Sequence, residues 1–328
     1  MSVHFIKTDR LLQLLNLLRR QGEVHAPLRG DDGAVRFAPL ATGILPELDA
    51  VRTLLPPKKY LLPPRETILT CRDGTNYQEP RDTPPTLILF GLHPCDLAGI
   101  SYLDRIFLED APDHVYAARR TALTLIGTSC TPDQFCSCHL FPSTLFASHD
   151  LFLHRNDEGF AVSSGSPRGD ELLEALEELL EERELTTDDT RRFFGRQLPR
   201  PTQSELDQSL PDWQELAGHC LGCGACSICC PTCYCFDVLE FGGVDGRSAE
   251  RLRQWDNCLF KSHAQVAGGA SFQKDRAQRF RYRYRHKYRG FGPLKGIPSC
   301  VGCGRCRTVC PVGLDLRPLA ERLERGAT

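Results

Sequence analysis

The sequence predicts a two-domain protein, with an α/β or α+β domain over residues 1–200 and a mainly α-helical domain over residues 201–328. A strand–helix–strand pattern between residues 86 and 128 indicates the first domain. Twelve of the seventeen cysteines lie between residues 220 and 310, which sets the second domain apart. Between the domains, QLPRPTQSELDQSLPD (197–212) has the composition of a linker. A chain of 328 residues is long enough to form two such cores.

The first domain begins with short elements. LLQLLNLL (11–18) carries leucines at helical spacing and predicts an amphipathic helix that starts near Thr8. VHAPL and AVRFAPL flank the turn sequence RGDDG, and together they predict a β-hairpin. The proline-rich segment LLPPKKYLLPP, around residues 56–64, predicts a loop or an extended edge strand.

The strand–helix–strand unit comes next along the chain. TLILFGL (86–92) predicts a buried strand, and ALTLIGT (122–128) predicts a second one. LAGISYLDRIF (97–107) predicts a helix with its apolar residues on one face and Asp96 as a cap of its first turn. GDELLEALEELLEERE (169–184) predicts an acidic amphipathic helix with a leucine stripe.

Composition and charge limit the classes of protein to which the chain can belong. Hydrophobic residues make up 41% and charged residues 25%, as in ordinary globular proteins. The formal net charge of −2 argues against nucleic-acid binding through an overall positive field. No run approaches the ~18 apolar residues of a membrane span, and polar residues interrupt the N-terminal leucines, unlike a signal peptide. We therefore expect a cytoplasmic protein with reduced thiols.

The cysteine-rich region contains one spacing twice. The first and second cysteine runs are Cys220-x2-Cys223-x2-Cys226-x3-Cys230-Pro and Cys300-x2-Cys303-x2-Cys306-x3-Cys310-Pro. This pattern is typical of bacterial ferredoxins with two clusters, in which the fourth cysteine of each run binds the cluster of the other run. The second domain is therefore predicted to be a ferredoxin-like domain with two [4Fe–4S] clusters.

The crossed arrangement gives each cluster four cysteines. The predicted ligands of cluster 1 are Cys220, Cys223, Cys226 and Cys310. The predicted ligands of cluster 2 are Cys300, Cys303, Cys306 and Cys230. Zinc also binds Cys-x2-Cys pairs, but a four-ligand zinc site does not explain a third cysteine at the next x2 step. Four further cysteines are expected to lie outside the ligand set as small buried side chains, namely Cys229, Cys233, Cys235 and Cys258.

Four cysteines of the first domain follow predicted strands. Cys95 comes after the first buried strand, Cys130 comes after the second, and Cys136 and Cys138 lie in the same loop as Cys130. Because ligands gather at the carboxyl ends of parallel strands, these thiols are expected to lie together. Four thiols match a cubane, so we predict a third [4Fe–4S] cluster. His93 is an alternative ligand, although a turn histidine without a metal is the expected case. The competing interpretations are four reduced, partly buried thiols, or two of them joined as a redox-active pair.

The segment RAQRFRYRYRHKYRG (276–290) alternates cations with aromatic residues. Arginine and tyrosine contact phosphates and stacked bases, so one interpretation is a nucleic-acid site. A cluster held by thiolates is negatively charged, and arginines beside it would stabilise its reduced form. A docking surface for an acidic partner and a solvated helix face are the remaining interpretations.

The chain resembles the iron–sulfur (beta or A-type) subunit of sulfhydrogenase and anaerobic sulfite reductase complexes, a 4Fe-4S dicluster family. In the second domain the resemblance lies in CLGCGACSICCPTCYCFDV, RLRQWDNCLFKSHAQVAGG, RYRHKYRGFG and CVGCGRCRTVCPVGLDL. In the first domain it lies in FGLHPCDLAGISYLDRIF and YAARRTALTLIGTSCTPDQFCSC. It covers most of residues 86–139 and 218–316, and it implies that the basic segment lies beside the clusters. After Cys138, HLFPSTLF replaces the small and glycine-rich residues that are usual in the family.

The resemblance implies an electron-transfer subunit of a hetero-oligomer. A flavin subunit with a [2Fe–2S] centre would take electrons from a nicotinamide. This chain would pass them through [4Fe–4S] clusters to a catalytic subunit of hydrogenase, sulfur reductase or sulfite reductase type. Because motifs of nucleotide-phosphate binding, serine hydrolysis and metalloproteolysis are missing from the sequence, no catalytic residue is predicted. The alternative function is a cluster-carrying regulatory or nucleic-acid-binding module.

Overall fold

The computed structural model describes residues 2–79, 83–141, 148–184, 213–263, 265–290, 294 and 297–315. The strands are β1 (Ser2–Lys7), β2 (Glu23–Arg29), β3 (Val35–Pro39), β4 (Arg65–Cys71), β5 (Tyr77–Gln78), β6 (Leu87–Leu92), β7 (Leu123–Thr128), β8 (Leu151–Arg155), β9 (Gly159–Ser164), β10 (Glu181–Glu184), β11 (Phe236–Gly242) and β12 (Ala249–Trp255). The α-helices are α1 (Leu11–Leu18), α2 (Lys58–Leu61), α3 (Pro94–Leu108), α4 (His114–Ala122), α5 (Pro167–Ala175), α6 (Trp213–His219), α7 (Ala225–Ile228), α8 (Arg276–Arg289) and α9 (Arg305–Thr308).

Sheet A is a mixed sheet in the order β10-β1-β9-β8-β7-β6-β2-β3. Its centre is parallel, because β2, β6, β7 and β8 run in one direction. The predicted strand–helix–strand unit is present here as β6, α3 and β7, and the predicted hairpin is β2 with β3. The predicted N-terminal helix is also present, preceded by a 3₁₀ turn at Thr8–Arg10.

The two faces of sheet A are covered by different helices. Ile88 and Phe90 of β6 enter a core that also contains leucines of α1 and α5. The alternate residue Leu89 enters a second core, which contains apolar residues of α3 and Tyr116 of α4. Successive side chains of a strand point to opposite faces, so a sheet covered on both sides needs apolar residues at every position. The arrangement brings the carboxyl ends of β6 and β7 to one edge, where Cys95 and Cys130 follow.

Sheet B shows that the predicted fold class is wrong for the second half of the chain. β11 and β12 form an antiparallel hairpin, and β12 pairs in turn with β4, giving the order β11-β12-β4-β5. The region after residue 201 is therefore not mainly α-helical. This region contains both helices and strands. The strands form because β12 pairs with β4, a strand from the first half of the chain. The division near residue 200 remains a prediction, although sheet B joins segments from both sides of it.

Two further expectations about secondary structure differ from what is observed. The acidic helix predicted over residues 169–184 ends at Ala175, and the last residues form β10, which pairs with the edge strand β1. Tertiary pairing overrides the local helical pattern there. The proline-rich segment contains the short helix α2 with Lys58 and Leu61 buried. The predicted linker 197–212 lies outside the described residues. Of the helices that the structure describes, none has the length and apolarity of a membrane span.

Candidate metal centre

The two cysteine runs face each other across one cavity. Its lining includes all eight predicted ligands, which are Cys220, Cys223, Cys226, Cys230, Cys300, Cys303, Cys306 and Cys310. The empty space, counted with its mouth, is about 1100 Å³. Apolar side chains such as Leu259, Phe280 and Val301 form much of the remaining wall. The protein thus gathers the thiols in a pocket with few competing polar groups.

Both runs fold locally in the same way. Gly224 (φ 80°) precedes α7, and Gly304 (φ 75°) precedes α9. The third cysteine of each run lies in the short helix and the fourth follows its end, which separates the fourth from the other three. A left-handed conformation is costly for a residue with a side chain. A Cβ on Gly304 would also lie 2.6 Å from the carbonyl oxygen of Phe135, so glycine is required there for two reasons.

The fourth cysteine of the first run lies close to the second run. The pKa of Cys230 is raised by its hydrogen bond with Cys233 and by burial, and the charge of Cys303 raises it further. Cys310 of the second run lines the cavity together with Cys220 of the first run. This arrangement is compatible with the crossed ligand sets, which stay a prediction.

The basic segment forms α8, and its buried face lines the cavity. Phe280, Arg283, Tyr284 and Lys287 are buried on that face and contribute to the wall. Arg283 donates hydrogen bonds to the Cys226 carbonyl oxygen (2.9 Å), the Cys233 Sγ (3.4 Å) and the hydroxyl of Ser227. Lys287 Nζ donates to Thr232 Oγ1 at 2.8 Å. The helix therefore places two cations beside the thiols, as the resemblance implies.

A third buried cation comes from the first half of the chain and contacts the backbone of the first run and of the residues that follow it. Lys58 of α2 is 3% exposed, and its Nζ donates to the carbonyl oxygens of Ser227 (3.2 Å) and Cys233 (2.9 Å). It also lies over the ring of Trp255, with 4.2 Å between Nζ and the ring centroid. Burial lowers the pKa of Lys58, and the negative charge that Cys233 and Cys230 carry when deprotonated opposes that shift.

The charges of nearby cysteines act on the two buried cations of α8. Burial disfavours the charged form of Lys287, but Cys230 and Cys233 outweigh it and raise its pKa. The pKa of Arg283 is raised in the same way, because Cys233 and Cys226 outweigh its burial. Buried charges in proteins are paired or bind metals. An anionic group bound by these thiols would provide the countercharge that the two cations need.

The four N-terminal cysteines meet at the predicted edge of sheet A. Burial raises the pKa of Cys130 to about 12, and the charges of Cys138 and Cys136 contribute. Burial likewise raises the pKa of Cys95, with a contribution from Cys130. All four thiols are partly buried. His93 is 5% exposed, and its Nδ1 donates to the carbonyl oxygen of Val51 at 3.0 Å.

This N-terminal set lies against the second run. The amide of Ser137 donates to the carbonyl oxygen of Gly302 at 2.8 Å. Arg52 links the two parts, because its Nε donates to the Cys303 carbonyl oxygen (3.2 Å) and its Nη2 to Cys136 Sγ (3.2 Å). The same guanidinium pairs with Asp133. The charge of Cys303 also acts on Cys95 and Cys138.

An ion pair in the interior joins α3 to α9. Arg305 Nη1 and Asp96 Oδ1 are 2.8 Å apart, and their side chains are 1% and 3% exposed. Arg305 also donates from Nε to the Thr53 carbonyl oxygen at 2.9 Å and from Nη2 to the Thr53 hydroxyl at 3.1 Å. Asp96 is the acidic residue in the first turn of α3, where the sequence places it. Its carboxylate is also the partner of a buried arginine beside Cys95 and Cys303.

Within the described ranges, no group of three or more histidine, cysteine, aspartate or glutamate side chains is placed to hold one metal ion. A cubane makes a different demand, since each of its four irons takes its own thiolate. The donor set of this centre is entirely thiol, which is the type that iron–sulfur clusters select.

Comparison with known proteins identifies the family. The 4Fe-4S dicluster domain matches residues 219–314, which contain both runs. Sulfhydrogenase 2 subunit beta from Pyrococcus furiosus is 34% identical over 329 residues, and the match covers 96% of each chain. The chain belongs to the sulfhydrogenase beta-subunit family. No solved structure matches it.

Membership of the sulfhydrogenase beta-subunit family confirms the resemblance found in the sequence. Together with the dicluster domain, it confirms the prediction of an iron–sulfur protein of electron transport that carries [4Fe–4S] clusters. The thiol cavity and its buried cations fit such clusters.

The four cysteines outside the predicted ligand set differ from one another. Cys229 is 2% exposed, and its Sγ lies 3.7 Å from the Cys226 carbonyl oxygen, as suits a small buried side chain. Cys233 contacts Cys230 and Arg283. Cys235 and Cys258 contact each other. Their separation from the ligand set stays a prediction.

Sequence reasoning missed the cations that arrive from outside the cysteine runs. Lys58 contacts a carbonyl group 169 positions later, and Arg52 contacts one 251 positions later. Both residues lie in segments without a metal-binding pattern. Only their long-range contacts reveal the roles of Lys58 and Arg52, and the local sequence carries no signal of them.

Proposed function

We propose that this chain relays single electrons through three [4Fe–4S] clusters within a hetero-oligomer in the cytoplasm. A flavin and [2Fe–2S] reductase subunit would supply electrons from a nicotinamide. A catalytic subunit of hydrogenase, sulfur reductase or sulfite reductase type would receive them, or the flow would run in reverse. The observation that carries the proposal is the single cavity lined by all eight cysteines of the two runs.

Each cluster would supply reversible one-electron chemistry. Cluster 1 would be held by Cys220, Cys223, Cys226 and Cys310, and cluster 2 by Cys300, Cys303, Cys306 and Cys230. Cluster 3 would be held by Cys95, Cys130, Cys136 and Cys138. The protein would exclude water with the apolar cavity wall and would stabilise added negative charge with Arg283, Lys287 and Lys58.

Two openings support a relay that runs from one partner to another. Cys223 is exposed at the mouth of the cavity, and its neighbour Leu221 is 60% exposed. At the other end, Cys130 lines a separate cleft with Asp133 and Phe152 at the carboxyl edge of sheet A. Cluster 2 would lie between these ends, because Cys303 interacts with Cys230 on one side and with Cys95 on the other.

The number of clusters can be tested on the full-length chain. Anaerobically purified protein is expected to contain about twelve iron and about twelve acid-labile sulfide per chain, from three cubanes. Cys130→Ser and Cys138→Ser are each expected to lower both values to about eight. Cys71→Ser is the matched control, because Cys71 is 3% exposed in β4 and belongs to none of the three sets. A wild-type value of about eight that these variants leave unchanged would reduce the relay to two clusters.

The crossed ligation has its own test. Cys310→Ala is expected to damage cluster 1, which contains no other cysteine of the second run. The variant Cys226→Ala serves as the reference, because Cys226 belongs to cluster 1 whether or not the fourth ligands are exchanged. The electron paramagnetic resonance spectrum of reduced Cys310→Ala is expected to lose the same signal as that of Cys226→Ala. Loss of the signal assigned to Cys300, Cys303 and Cys306 would show that the fourth ligands are not exchanged.

A relay subunit is expected to take up electrons but to catalyse no reaction of a substrate by itself. The purified chain alone is expected to accept electrons from its flavoprotein partner without turning over hydrogen, sulfite or nicotinamide. Steady turnover of any of these substrates by the single chain would contradict the proposal. Identification of the subunits that co-purify with the chain would name the terminal acceptor.

A further inference from the structure

Two cysteines outside the proposed ligand sets meet at the base of the β11–β12 hairpin. Phe236 pairs with Trp255 at the end of the ladder, and the amide of Asp256 donates to the carbonyl oxygen of Cys235 at 3.0 Å. This backbone contact holds the chain so that Cys258, two residues further on, reaches back to Cys235. The thiols of Cys235 and Cys258 are hydrogen-bonded to each other.

This pair is unlike a buried apolar cysteine. Cys229 has only a weak contact with a carbonyl oxygen, whereas Cys258 has a thiol donor beside it. The hydrogen bond from Cys235 lowers the pKa of Cys258 to about 7 despite burial, and the charge of Arg283 acts in the same direction. The thiolate is the reactive form of cysteine, so a lowered pKa marks a reactive pair.

The pair also lies next to the proposed relay. Cys233 is hydrogen-bonded to Cys230, which would be a ligand of cluster 2. The charge of Cys233 acts on both Cys235 and Cys258. Cys233 therefore lies between the pair and Cys230, a proposed cluster ligand. Two sulfur atoms in hydrogen-bond contact leave no space for a cubane between them, so another cluster is a poor fit for these two thiols.

We propose that Cys235 and Cys258 form a redox-active dithiol that exchanges two electrons with the cluster on Cys230. The inference rests on the proposed function, because that cluster is the one-electron partner. On oxidation, both S–H bonds break, one S–S bond forms and two protons leave to solvent. The two electrons pass singly to the cluster, and reduction reverses each change. The dithiol would couple a two-electron reaction to a one-electron relay.

The bond itself can be measured on the full-length holoprotein. The protein is equilibrated anaerobically in dithiothreitol buffers of stepped potential, quenched in acid with N-ethylmaleimide and digested with chymotrypsin. This protease cuts after Tyr234 and so separates Cys233 from Cys235. A peptide linked through Cys235 and Cys258 is expected, with a disulfide-to-dithiol ratio that changes tenfold over about 30 mV. Absence of that peptide at every potential would overturn the proposal.

Electron exchange with the cluster is tested by anaerobic titration with reduced methyl viologen. Oxidised wild-type protein is expected to accept two more electrons per chain than Cys235→Ser or Cys258→Ser. Cys71→Ser, which removes a buried thiol elsewhere, is expected to match the wild type. Equal uptake by all four proteins would overturn the coupling. Thermal unfolding of each variant checks that it is folded, and the linked-peptide measurement needs no variant.

The iron content of the same samples separates this inference from the proposed function. Wild-type protein with its full iron and no linked peptide would contradict the dithiol alone. Protein that forms the linked peptide but binds no iron would contradict the relay and the coupling, and it would leave only the thiol pair.

Discussion

The two cysteine runs share their spacing but differ in their surroundings. After the second glycine, the first run has Ala225, whereas the second run has the buried Arg305. After the first cysteine, Leu221 is 60% exposed, whereas the equivalent Val301 is 6% exposed. We call the first run the surface run, because Leu221 and Cys223 are exposed, and the second the interior run, because Val301 and Arg305 are buried. Spacing determines the local fold, and the neighbouring chain determines exposure and charge.

The neighbours come from different parts of the sequence. The first run packs against its own half, where Asn257 donates to the carbonyl oxygen of Gly224 at 2.8 Å, and it also accepts a hydrogen bond from Lys58 of the first half. The second run packs against the N-terminal cysteine loop, where Arg307 donates to the carbonyl oxygen of Phe135 at 2.7 Å. The interior run thus contacts the N-terminal half of the molecule. In the proposed relay, this contact places cluster 2 next to cluster 3.

The largest effect is expected when the buried charge of the second run is removed. Arg305→Met leaves Asp96 without its partner at 3% side-chain exposure. An uncompensated buried charge costs about 3–5 kcal/mol. We expect the thermal unfolding midpoint of the holoprotein to fall by roughly 10 °C.

A surface pair provides the control for this prediction. Arg29→Met breaks the exposed pair with Glu47 and is expected to cost less than about 1 kcal/mol. The double variant Arg305→Met/Asp96→Leu removes both charges and is expected to regain much of the loss. Equal midpoints for Arg305→Met and Arg29→Met would show that the buried pair does not stabilise the interior run.

A smaller effect is expected from equivalent glycines of the two runs. Gly222 (φ 68°) and Gly302 (φ 65°) have the same backbone conformation. A Cβ on Gly222 would meet nothing closer than the Leu259 carbonyl oxygen at 3.9 Å, whereas one on Gly302 would lie 2.4 Å from the amide nitrogen of Cys138. Both alanine variants cost about 1–2 kcal/mol for the left-handed conformation.

Gly302→Ala has the additional cost of crowding, about 1–3 kcal/mol. Its midpoint of thermal unfolding is therefore expected to lie several degrees below that of Gly222→Ala. The variant is also expected to lose iron from the N-terminal set first, because that loop must move to admit the methyl group. Similar midpoints for the two variants would mean that the N-terminal loop and the second run are not tightly packed.

The sequence predicts the features that depend on local pattern. The doubled cysteine spacing indicates the eight cysteines that line the cavity, and two continuously apolar strands around an amphipathic helix indicate β6, α3 and β7. The pairing of β12 with β4 is not predictable in this way, because the two strands are separated by most of the chain. The buried positions of Lys58 and Arg305 follow from the same long-range contacts. A basic residue without a partner in the sequence is normally assigned to the surface.

A still smaller effect is expected from the cations of α8. Lys287→Met removes a charge that acts on Cys230 and Cys300, two proposed ligands of cluster 2. A unit charge is worth on the order of 2 kcal/mol over about 8 Å at an effective dielectric constant of 20, or roughly 90 mV for one electron. Because an added electron loses a stabilising cation, the midpoint potential of cluster 2 is expected to become more negative than in the wild type.

A potentiometric titration followed by electron paramagnetic resonance measures this shift. Arg285→Met is the matched control, since Arg285 is exposed on the same helix and carries the same charge. Its effect is expected to be small because solvent screens an exposed charge. If both variants shift the potential of cluster 2 equally, the buried position of Lys287 has no special influence on the cluster.

The smallest effect is expected at the surface run, and it concerns binding. Leu221→Asp places a charge at the mouth of the cavity, next to the exposed Cys223. If the flavoprotein docks there, the concentration that gives half-maximal electron transfer is expected to rise about tenfold, which is about 1.4 kcal/mol. Reduction by methyl viologen, a small molecule that needs no docking surface, is expected to be unchanged. Val244→Asp is the control, because Val244 is fully exposed in the loop after β11. A parallel loss of viologen reduction would indicate cluster damage, and an unchanged half-maximal concentration would move the partner to another surface.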